Sequence, residues 1–237
     1  MIDISDIKFD DTNLLDNCTL FTKKNQKKID SFWLGTQEYG PILGLQKKIH
    51  KSIVEKKTND VVLMLEHEHV YTLGKNANKN HVLPLQNKCD NIAQIDRGGD
   101  VTYHGPGQLV CYPIINLNNY NKSVSWYVKL IQECIVEVLG KHKINAVKKE
   151  SPLIGIWVDD EKIAAIGIRL SRWVSMHGFA INVNTDLSYF DGIIPCGIFD
   201  YGVTSMEQIT DNKLDIYSLA ESVSRLFLKR IKKALKN

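Results

Sequence analysis

Two residues of this chain have side chains that could pair as a nucleophile and its proton partner. Cys196 lies in the sequence IIPCG, where the proline fixes the backbone before it and the glycine after it allows a substrate to approach closely. A backbone amide at such a place could also stabilise an oxyanion. The alternative for any single cysteine is a buried thiol that packs as a small hydrophobic group. Cys196 is therefore a candidate nucleophile, and the packing role stays open.

Lys162 is the candidate proton carrier. It opens the run KIAAIGIRL just after a charged turn, so its aliphatic stem enters an apolar neighbourhood. A lysine drawn away from water loses its proton more easily than a solvated one and can act as both acid and base. A lysine at the start of a strand is also commonly a solvated residue that protects the strand edge. Both interpretations stand on the sequence alone.

A glycine-rich loop precedes a strand in RGGDVTYHGPGQLVCYP, residues 97–113. Glycine loses the most conformational freedom on folding, so a cluster of glycines indicates main chain that must turn sharply or approach another group. The loop has neither the GKS or GKT of a P-loop nor a G-x-G-x-x-G run. We therefore expect it to line a pocket, with Arg97 and His104 among its polar groups.

The run EHEH places His67 and His69 beside two glutamates. On a strand both histidines would point to one face. The spacing matches no zinc protease motif, however, and no third ligand is evident. We expect a strand edge or a pocket wall here rather than a metal site.

The pattern of apolar residues predicts one mixed α/β domain. Apolar or alternating runs indicate strands: LIGIWV and KIAAIGIRL form a hairpin, and EHEHVYTLG continues the strand VVLML as far as Gly74. Ser123 and Ser205 stand where helix caps are expected. The main helices are predicted from Glu38 to about Lys57, after Ser123, and at about 215–235.

Composition limits the class of protein. The chain has 237 residues, a hydrophobic fraction of 43% and a net charge of +3, which fits one globular domain and not a nucleic-acid binder. Its five cysteines form no CxxC pair, so we expect a reducing compartment and no disulfide framework. The longest aliphatic run, VVLML, is too short to cross a bilayer, and the acidic N-terminus does not match a secretory signal.

Basic residues gather at two places, one near each end of the chain. A solvated surface is one interpretation, and a docking patch for an acidic partner is the other. The clusters comprise Lys23, Lys24, Lys27 and Lys28, and Lys229, Arg230, Lys232 and Lys233.

The chain resembles the octanoyltransferases, also called lipoyl(octanoyl) transferases or lipoate-protein ligase B. LEHEHVYTLG, the glycine-rich loop, KIAAIGIRLSRWVSMHGFAINV and DGIIPCGIFDYGVTS occur in the family's order and spacing, from about Phe32 to Gln208. Ser175 stands where the family often has threonine. Both residues carry a hydroxyl group. The first 30 residues carry no motif that we assign to any family. We therefore divide the chain into an N-terminal extension, 1–30, and a catalytic domain, 31–237.

The resemblance implies the fold of the biotin and lipoate protein ligases: an α/β (α+β) single domain with a mixed central β-sheet flanked by helices. It implies transfer of octanoyl from acyl carrier protein to the lysine of lipoyl domains, through a thioester on Cys196 and with Lys162 as the second catalytic residue. The substrate-binding residues that it implies are Arg97, Gly98, Gly99, Asp100, Val101, Thr102, Tyr103, His104, Ala165, Ile166, Gly167, Gly178, Phe179 and Ala180.

The resemblance also implies partners. The donor is octanoyl-acyl carrier protein, and the acceptors are lipoyl domains of 2-oxoacid dehydrogenase E2 subunits and the H protein of glycine cleavage. We expect a cytoplasmic monomer that uses no cofactor and no metal and binds neither nucleic acid nor membrane. Three alternatives stay open: an ATP-dependent lipoate or biotin ligase of the same fold, a thiol acyl hydrolase using Cys196 with His104 or His177, and a non-enzymatic lipid-binding or carrier-docking module.

Overall fold

The computed structural model describes residues 19–20, 29–83, 88–194 and 201–235. In chain order the elements are β1 (Thr19–Leu20), β2 (Ile29–Gln37), α1 (Tyr39–Val54), β3 (Asp60–His67), β4 (Val70–Leu73), β5 (Ile92–Gln94), β6 (Val101–His104), β7 (Gln108–Ile114), α2 (Val124–Lys141), β8 (Val147–Lys149), β9 (Gly155–Val158), β10 (Glu161–Ser171), β11 (Val174–Asn182), β12 (Gly202–Val203), α3 (Met206–Thr210) and α4 (Ile216–Lys233).

Most strands join one mixed sheet. Within the described residues its order is β1-β2-β3-β7-β11-β10-β9-β8, with β12 beside β10. β2 and β3 run parallel, as do β10 and β12, and the other neighbours are antiparallel. β11 pairs with β10 only from Ala164 onward, which leaves Glu161 and Lys162 to pair with β12.

Helices cover both faces of this sheet. Successive residues of a strand point to opposite faces, and β7 shows the division. Leu109 and Cys111 pack with α2 and α4, whereas Val110 and Tyr112 pack with α1 on the opposite face. The predicted mixed sheet flanked by helices is thus confirmed.

A second sheet has three strands in the order β5-β4-β6. It packs against the start of α1, where Val70 and Ile95 share an apolar cluster with Tyr39. The predicted continuation of VVLML through EHEHVYTL to Gly74 is wrong, because the chain leaves the main sheet after His67 and enters the second sheet at Val70. The Glu68 amide donates to the Gln37 carbonyl at 3.1 Å, which is the last contact with the main sheet before the chain turns away. His67 and His69 therefore do not share the face of one strand.

The predicted helix caps are confirmed. Ser123 Oγ accepts a hydrogen bond from the Trp126 amide at 3.2 Å, and Ser205 Oγ accepts one from the Gln208 amide at 3.1 Å. Each side chain satisfies an amide that lacks an intrahelical partner. The predicted hairpin is confirmed as β9 and β10, and α1 ends at Val54, three residues before the predicted end.

The N-terminal boundary falls inside a strand. β2 begins at Ile29, and Thr19 of β1 pairs with Trp33 at the edge of the main sheet. Residues 1–18 and 21–28, which hold the first lysine cluster, lie outside the described residues. Across the described ranges, no helix is both long and apolar enough to span a membrane.

Candidate active site

Four small residues form a strip across the centre of the main sheet. Ala165 of β10 pairs with Ala180 of β11, and two residues along each strand Gly167 pairs with Gly178. Residues two apart on a strand point to the same face, so the strip lacks side-chain bulk. Val110, which pairs with Ala180, borders it on β7. The cavity above this strip, here called the slot, holds about 80 Å³, which is room for several water-sized groups.

The glycine-rich loop crosses one end of the slot. The Gly98 amide donates to the Ile168 carbonyl at 3.1 Å. A Cβ atom at Gly167 would lie 3.0 Å from Arg97 Cδ and 3.1 Å from the Gly98 carbonyl oxygen. Arg97 is buried and donates through one guanidinium nitrogen to the Thr72 carbonyl at 2.7 Å and to Thr72 Oγ1 at 2.9 Å. These glycines therefore let the loop pack tightly on β10.

Asp100 ties this loop to the segment before it. Its Oδ1 atom accepts from the amides of Val101 at 2.8 Å and Asn78 at 3.2 Å, and its Oδ2 atom lies 2.5 Å from His81 Nδ1. With both oxygens engaged, Asp100 supports the wall of the slot.

Most of the predicted substrate-binding residues line the slot. Tyr103 does not: it is fully buried, its hydroxyl bonds to His69 Nδ1 at 2.7 Å and its ring stacks on Tyr189. Because neighbours on a strand face opposite ways, Tyr103 points away from the side of His104. The predicted residues along the slot are Arg97, Gly98, Gly99, Asp100, Val101, Thr102, His104, Lys162, Ala165, Ile166, Gly167, Gly178, Phe179 and Ala180. Cys196 lies in 195–200, outside the described residues.

Lys162 is buried in the wall of the slot, with 8% of its surface exposed. The interpretation of Lys162 as a solvated edge residue is therefore wrong. Its Nζ atom lies 4.9 Å from the ring centre of Trp157, where the face of an indole attracts a cation. The pairing of β10 with β9 shifts register between Lys162 and Ala164, and such a bulge re-aims the side chains beside it.

His104 is a neutral imidazole with a fixed tautomer. The side-chain amide of Gln108 donates to the Tyr103 carbonyl at 3.2 Å and to Asn182 Oδ1 at 2.9 Å, so its oxygen must be the atom that accepts from His104 Nδ1 at 2.7 Å. The proton is therefore on Nδ1, and Nε2 has a free lone pair. Burial lowers the pKa of His104 to about 3.

The same hydrogen-bond chain continues to Lys162. Asn182 Nδ2 donates to the Thr204 carbonyl at 3.0 Å, and the Thr204 amide donates to the Lys162 carbonyl at 3.1 Å. Hydrogen bonds, together with the backbone of Thr204, thus link the ring of His104 to the main chain of Lys162.

His67 supports the slot from behind. Its Nδ1–H donates to the Gln37 carbonyl at 3.0 Å, so its Nε2 accepts from the Tyr112 hydroxyl at 2.8 Å. Burial lowers the pKa of His67 to about 4, so both rings of this wall, His67 and His104, are neutral near pH 7. Within the described ranges, no group of three or more His, Cys, Asp or Glu side chains could hold a metal ion.

His177 adopts an unusual backbone conformation at the loop end of the slot. Its φ is 57°, a left-handed value that costs energy for a residue with a side chain. The Gln46 side chain from α1 accepts from the His177 amide at 3.0 Å, and His177 Nε2 donates to Asp96 at 3.0 Å. Arg169 holds the other oxygen of Asp96 at 2.7 Å. Burial lowers the pKa of His177, although Asp96 opposes this.

Four polar residues that line the slot were not predicted from the sequence: Tyr39, Gln108, Tyr112 and Asn182. Asn182 could have been found, since it continues the alternation of Gly178 and Ala180 on β11. The other three carry no such signal.

The C-terminal basic cluster is partly engaged within the protein. Arg230 binds Glu133 at 2.9 Å and Glu137 at 2.5 Å, both on α2. This residue therefore joins two helices and is not part of a free basic patch.

Comparison with known proteins places the sequence in a family context. The profile described as "Lipoyl protein ligase A/B catalytic domain" matches residues 38–228. An octanoyltransferase of Caldicellulosiruptor saccharolyticus is 39% identical over 205 residues, covering 84% of this chain and 87% of that protein. An octanoyltransferase of Solibacter usitatus is 45% identical over 177 residues, covering 73% and 80%.

Solved structures share the fold. A lipoate-protein ligase A bound with ATP superposes with a TM-score of 0.66 at 15% identity, covering 85% of each chain. A bipartite lipoate protein ligase of Thermoplasma acidophilum, reported with its E2 lipoyl domain, has a TM-score of 0.63 at 14% identity and covers 86% of this chain and 83% of that one. At such identities the likeness concerns architecture alone.

Proposed function

The chain belongs to the octanoyltransferases of the lipoyl protein ligase A/B catalytic domain family, and we propose that it moves octanoyl from acyl carrier protein to the lysine of lipoyl domains. The observation that supports this most directly is the slot, whose Ala165–Ala180 pair leaves room for a slim acyl chain next to the buried Lys162. A narrow slot lined by small residues suits an unbranched acyl chain. A methyl branch on the chain would collide with the walls.

We place the chemistry on Cys196 and Lys162. The Cys196 thiolate attacks the carbonyl carbon of the octanoyl thioester, the bond to the carrier's sulfur breaks, and the departing thiolate takes a proton from the Lys162 ammonium. The acceptor lysine amine then attacks the Cys196 thioester. As the C–N bond forms and the C–S bond breaks, Lys162 takes the proton that the attacking nitrogen loses. An amide is more stable than a thioester, so the reaction needs no ATP.

The state of the histidines favours lysine as the proton carrier. His104 stays neutral, because burial lowers its pKa to about 3, and it cannot hold a proton for a thiolate near pH 7. The ring of His177 is held against Asp96. Lys162 lines the same slot, and an ammonium beside a thiol favours the thiolate. These points weigh against a hydrolase that pairs Cys196 with either histidine.

The other cysteines of the described chain are poor nucleophiles. Cys89, Cys111 and Cys134 are buried free thiols, and burial raises the pKa of Cys134 to about 12. Free thiols and a thiolate nucleophile both suit a reducing compartment, and we propose that the protein is cytoplasmic.

We further propose that the protein acts as a monomer. Its acceptors are the lipoyl domains of 2-oxoacid dehydrogenase E2 subunits and the glycine cleavage H protein.

The decisive experiment is intact-protein mass spectrometry after incubation with octanoyl-acyl carrier protein. We expect one octanoyl adduct, mapped by proteolysis to Cys196 and discharged when a lipoyl domain is added. Cys196→Ser should abolish rapid thioester formation, whereas the matched control Cys134→Ser should retain the adduct on Cys196. An adduct elsewhere, or normal transfer by Cys196→Ser, would refute the nucleophile.

The ATP-dependent alternative has its own readout. A ligase given free octanoate and ATP releases AMP, and it does not require Cys196. We expect no AMP release and no acylated lipoyl domain under those conditions. AMP release with acceptor acylation in the Cys196→Ser protein would assign the chain to the ligases instead.

A further inference from the structure

Besides the fully buried Nδ1 atom of His177, two polar atoms carried by rings on the slot wall make no hydrogen bond to another described residue. They are the hydroxyl of Tyr39 and Nε2 of His104. Both residues line the slot, and both are more than nine-tenths buried, with 4% and 8% of their surfaces exposed. Their rings are nearly parallel, with an interplanar angle of 6° and centres 6.3 Å apart, so they form one continuous stretch of wall.

The hydrogen-bonding roles of these atoms are opposite. The Gln108 contact places the proton of His104 on Nδ1, so Nε2 can only accept. Burial raises the pKa of Tyr39, so its hydroxyl stays protonated and can donate. The wall thus presents one donor and one acceptor to whatever occupies the slot.

The methylene groups of a saturated acyl chain can satisfy neither atom. An acyl chain in the slot would remove water from both atoms, and a polar atom buried without a partner is costly. A ligand group that both donates and accepts matches the two roles. A hydroxyl group is the smallest such substituent on a carbon chain. Neither a keto oxygen nor an ether can do so, because each accepts without donating.

We propose that the slot recognises medium-chain acyl groups that carry one hydroxyl at the level of Tyr39 and His104, and that hydroxyoctanoyl thioesters are substrates alongside octanoyl. This inference rests on the proposed octanoyl transfer and adds a substrate class to it. The hydroxyl donates to His104 Nε2 and accepts from the Tyr39 hydroxyl, while the rest of the chain lies on the Ala165–Ala180 strip.

The test uses octanoyl-acyl carrier protein and a series of isomers that carry a single hydroxyl at successive carbons. We expect one isomer to be transferred with a kcat/KM about tenfold above that of its neighbours, since two hydrogen bonds distinguish it. Tyr39→Phe removes only the hydroxyl and should reduce that advantage severalfold. Tyr217→Phe, a tyrosine on α4 that packs edge-on against Trp33 on the opposite face, should keep it.

The outcomes separate the inference from the function beneath it. If octanoyl is transferred and every hydroxylated isomer is equally poor, in the parent protein and in Tyr39→Phe, the two polar atoms are satisfied by water and the inference is overturned. If the favoured isomer is the same but Tyr39→Phe does not change its advantage, the assigned residues are wrong. If no acyl group is transferred at all, the proposed function fails, and this inference fails with it.

Discussion

The side-chain amide of Gln108 donates to Asn182 across 2.9 Å, and this contact decides which nitrogen of His104 carries a proton. Asn182 also donates to the main chain of Thr204, which in turn bonds to Lys162. A single buried amide therefore connects two walls of the slot. A buried polar group that loses its hydrogen-bond partner costs its full desolvation free energy. Substitution of Asn182 should therefore disturb both walls.

Asn182→Leu should lower kcat by about tenfold or more, with a smaller effect on KM, because it releases Gln108 and Thr204 without blocking the slot. Asn184 provides a matched control: it makes two hydrogen bonds to Leu214, at 2.8 and 3.0 Å, away from the slot. Both variants should lose about 1–3 kcal/mol of unfolding free energy. Steady-state kinetics distinguishes them, and equal kcat values would show that the chain of hydrogen bonds is only structural.

Larger side chains on the strip should shorten the preferred acyl chain. Ala165→Leu and Ala180→Leu each place added carbon atoms in the slot, and a packed cavity tolerates extra methylenes poorly. Transfer rates measured with acyl carriers from butanoyl to decanoyl should shift their maximum below octanoyl. Ala234→Leu, the same change near the end of α4, should leave the maximum where it is. An unchanged maximum in both slot variants would place the acyl chain elsewhere.

Two glycine substitutions should change stability in opposite directions. A Cβ atom at Gly178 would lie 2.0 Å from the Cys111 carbonyl oxygen, so Gly178→Ala must displace β7 or β11 and should cost several kcal/mol, roughly as overpacking does. At Gly140, in α2, a Cβ atom meets nothing within 4 Å. Gly140→Ala should therefore stabilise the helix by about 0.5–1 kcal/mol. Urea denaturation of both variants checks the two signs.

Stability should fall as the solution becomes mildly acidic. In the folded chain the pKa values of His67 and His104 are about 4 and about 3, against about 6.5 in an unfolded chain. Below about pH 6.5 these histidines therefore bind protons in the unfolded chain but not in the folded chain. Each histidine lowers the free energy of unfolding by roughly 1.4 kcal/mol per pH unit until the pH reaches its folded pKa. Above that pH, the two residues contribute no pH dependence.

The measurement is the unfolding free energy from pH 7.5 to 4.5, compared between the parent protein and His67→Gln. The unfolding free energy of the variant should decline less steeply, because it lacks a histidine that binds a proton only in the unfolded chain. His142→Gln, at the C-terminal end of α2, should decline as the parent does. Identical slopes for all three proteins would mean that His67 is not held neutral in the folded state.

The sequence predicted the secondary elements well where one side chain decides the local structure. Ser123 and Ser205 cap helices because a serine oxygen in that position satisfies a free amide. The hairpin of β9 and β10 follows from its two β-branched runs and the acidic turn between them. The break after His67 was not predicted, because EHEHVYTL alternates without interruption and periodicity does not record a change of sheet.

Less of the candidate site than of the secondary structure could be predicted from individual residues. Ala165 and Gly167 lie beside Ala180 and Gly178 only because of the register in which β10 pairs with β11. That register cannot be inferred from the individual residues. Tyr39 begins α1 and faces the slot through tertiary packing. The part assigned to Cys196 rests on its sequence neighbours and on the family, since 195–200 lie outside the described residues.

The central place of β7 has a consequence for synthesis on the ribosome. All seven residues of this strand, Gln108–Ile114, are buried, and its two partners are made at very different times. β3 precedes it, but β11 emerges only after α2, β8, β9 and β10 have been translated. Until then the nascent chain exposes one apolar, unpaired strand edge, the kind of surface on which polypeptides aggregate. Premature termination within β10 should therefore leave a fragment that depends on chaperones, whereas the complete chain covers that edge itself.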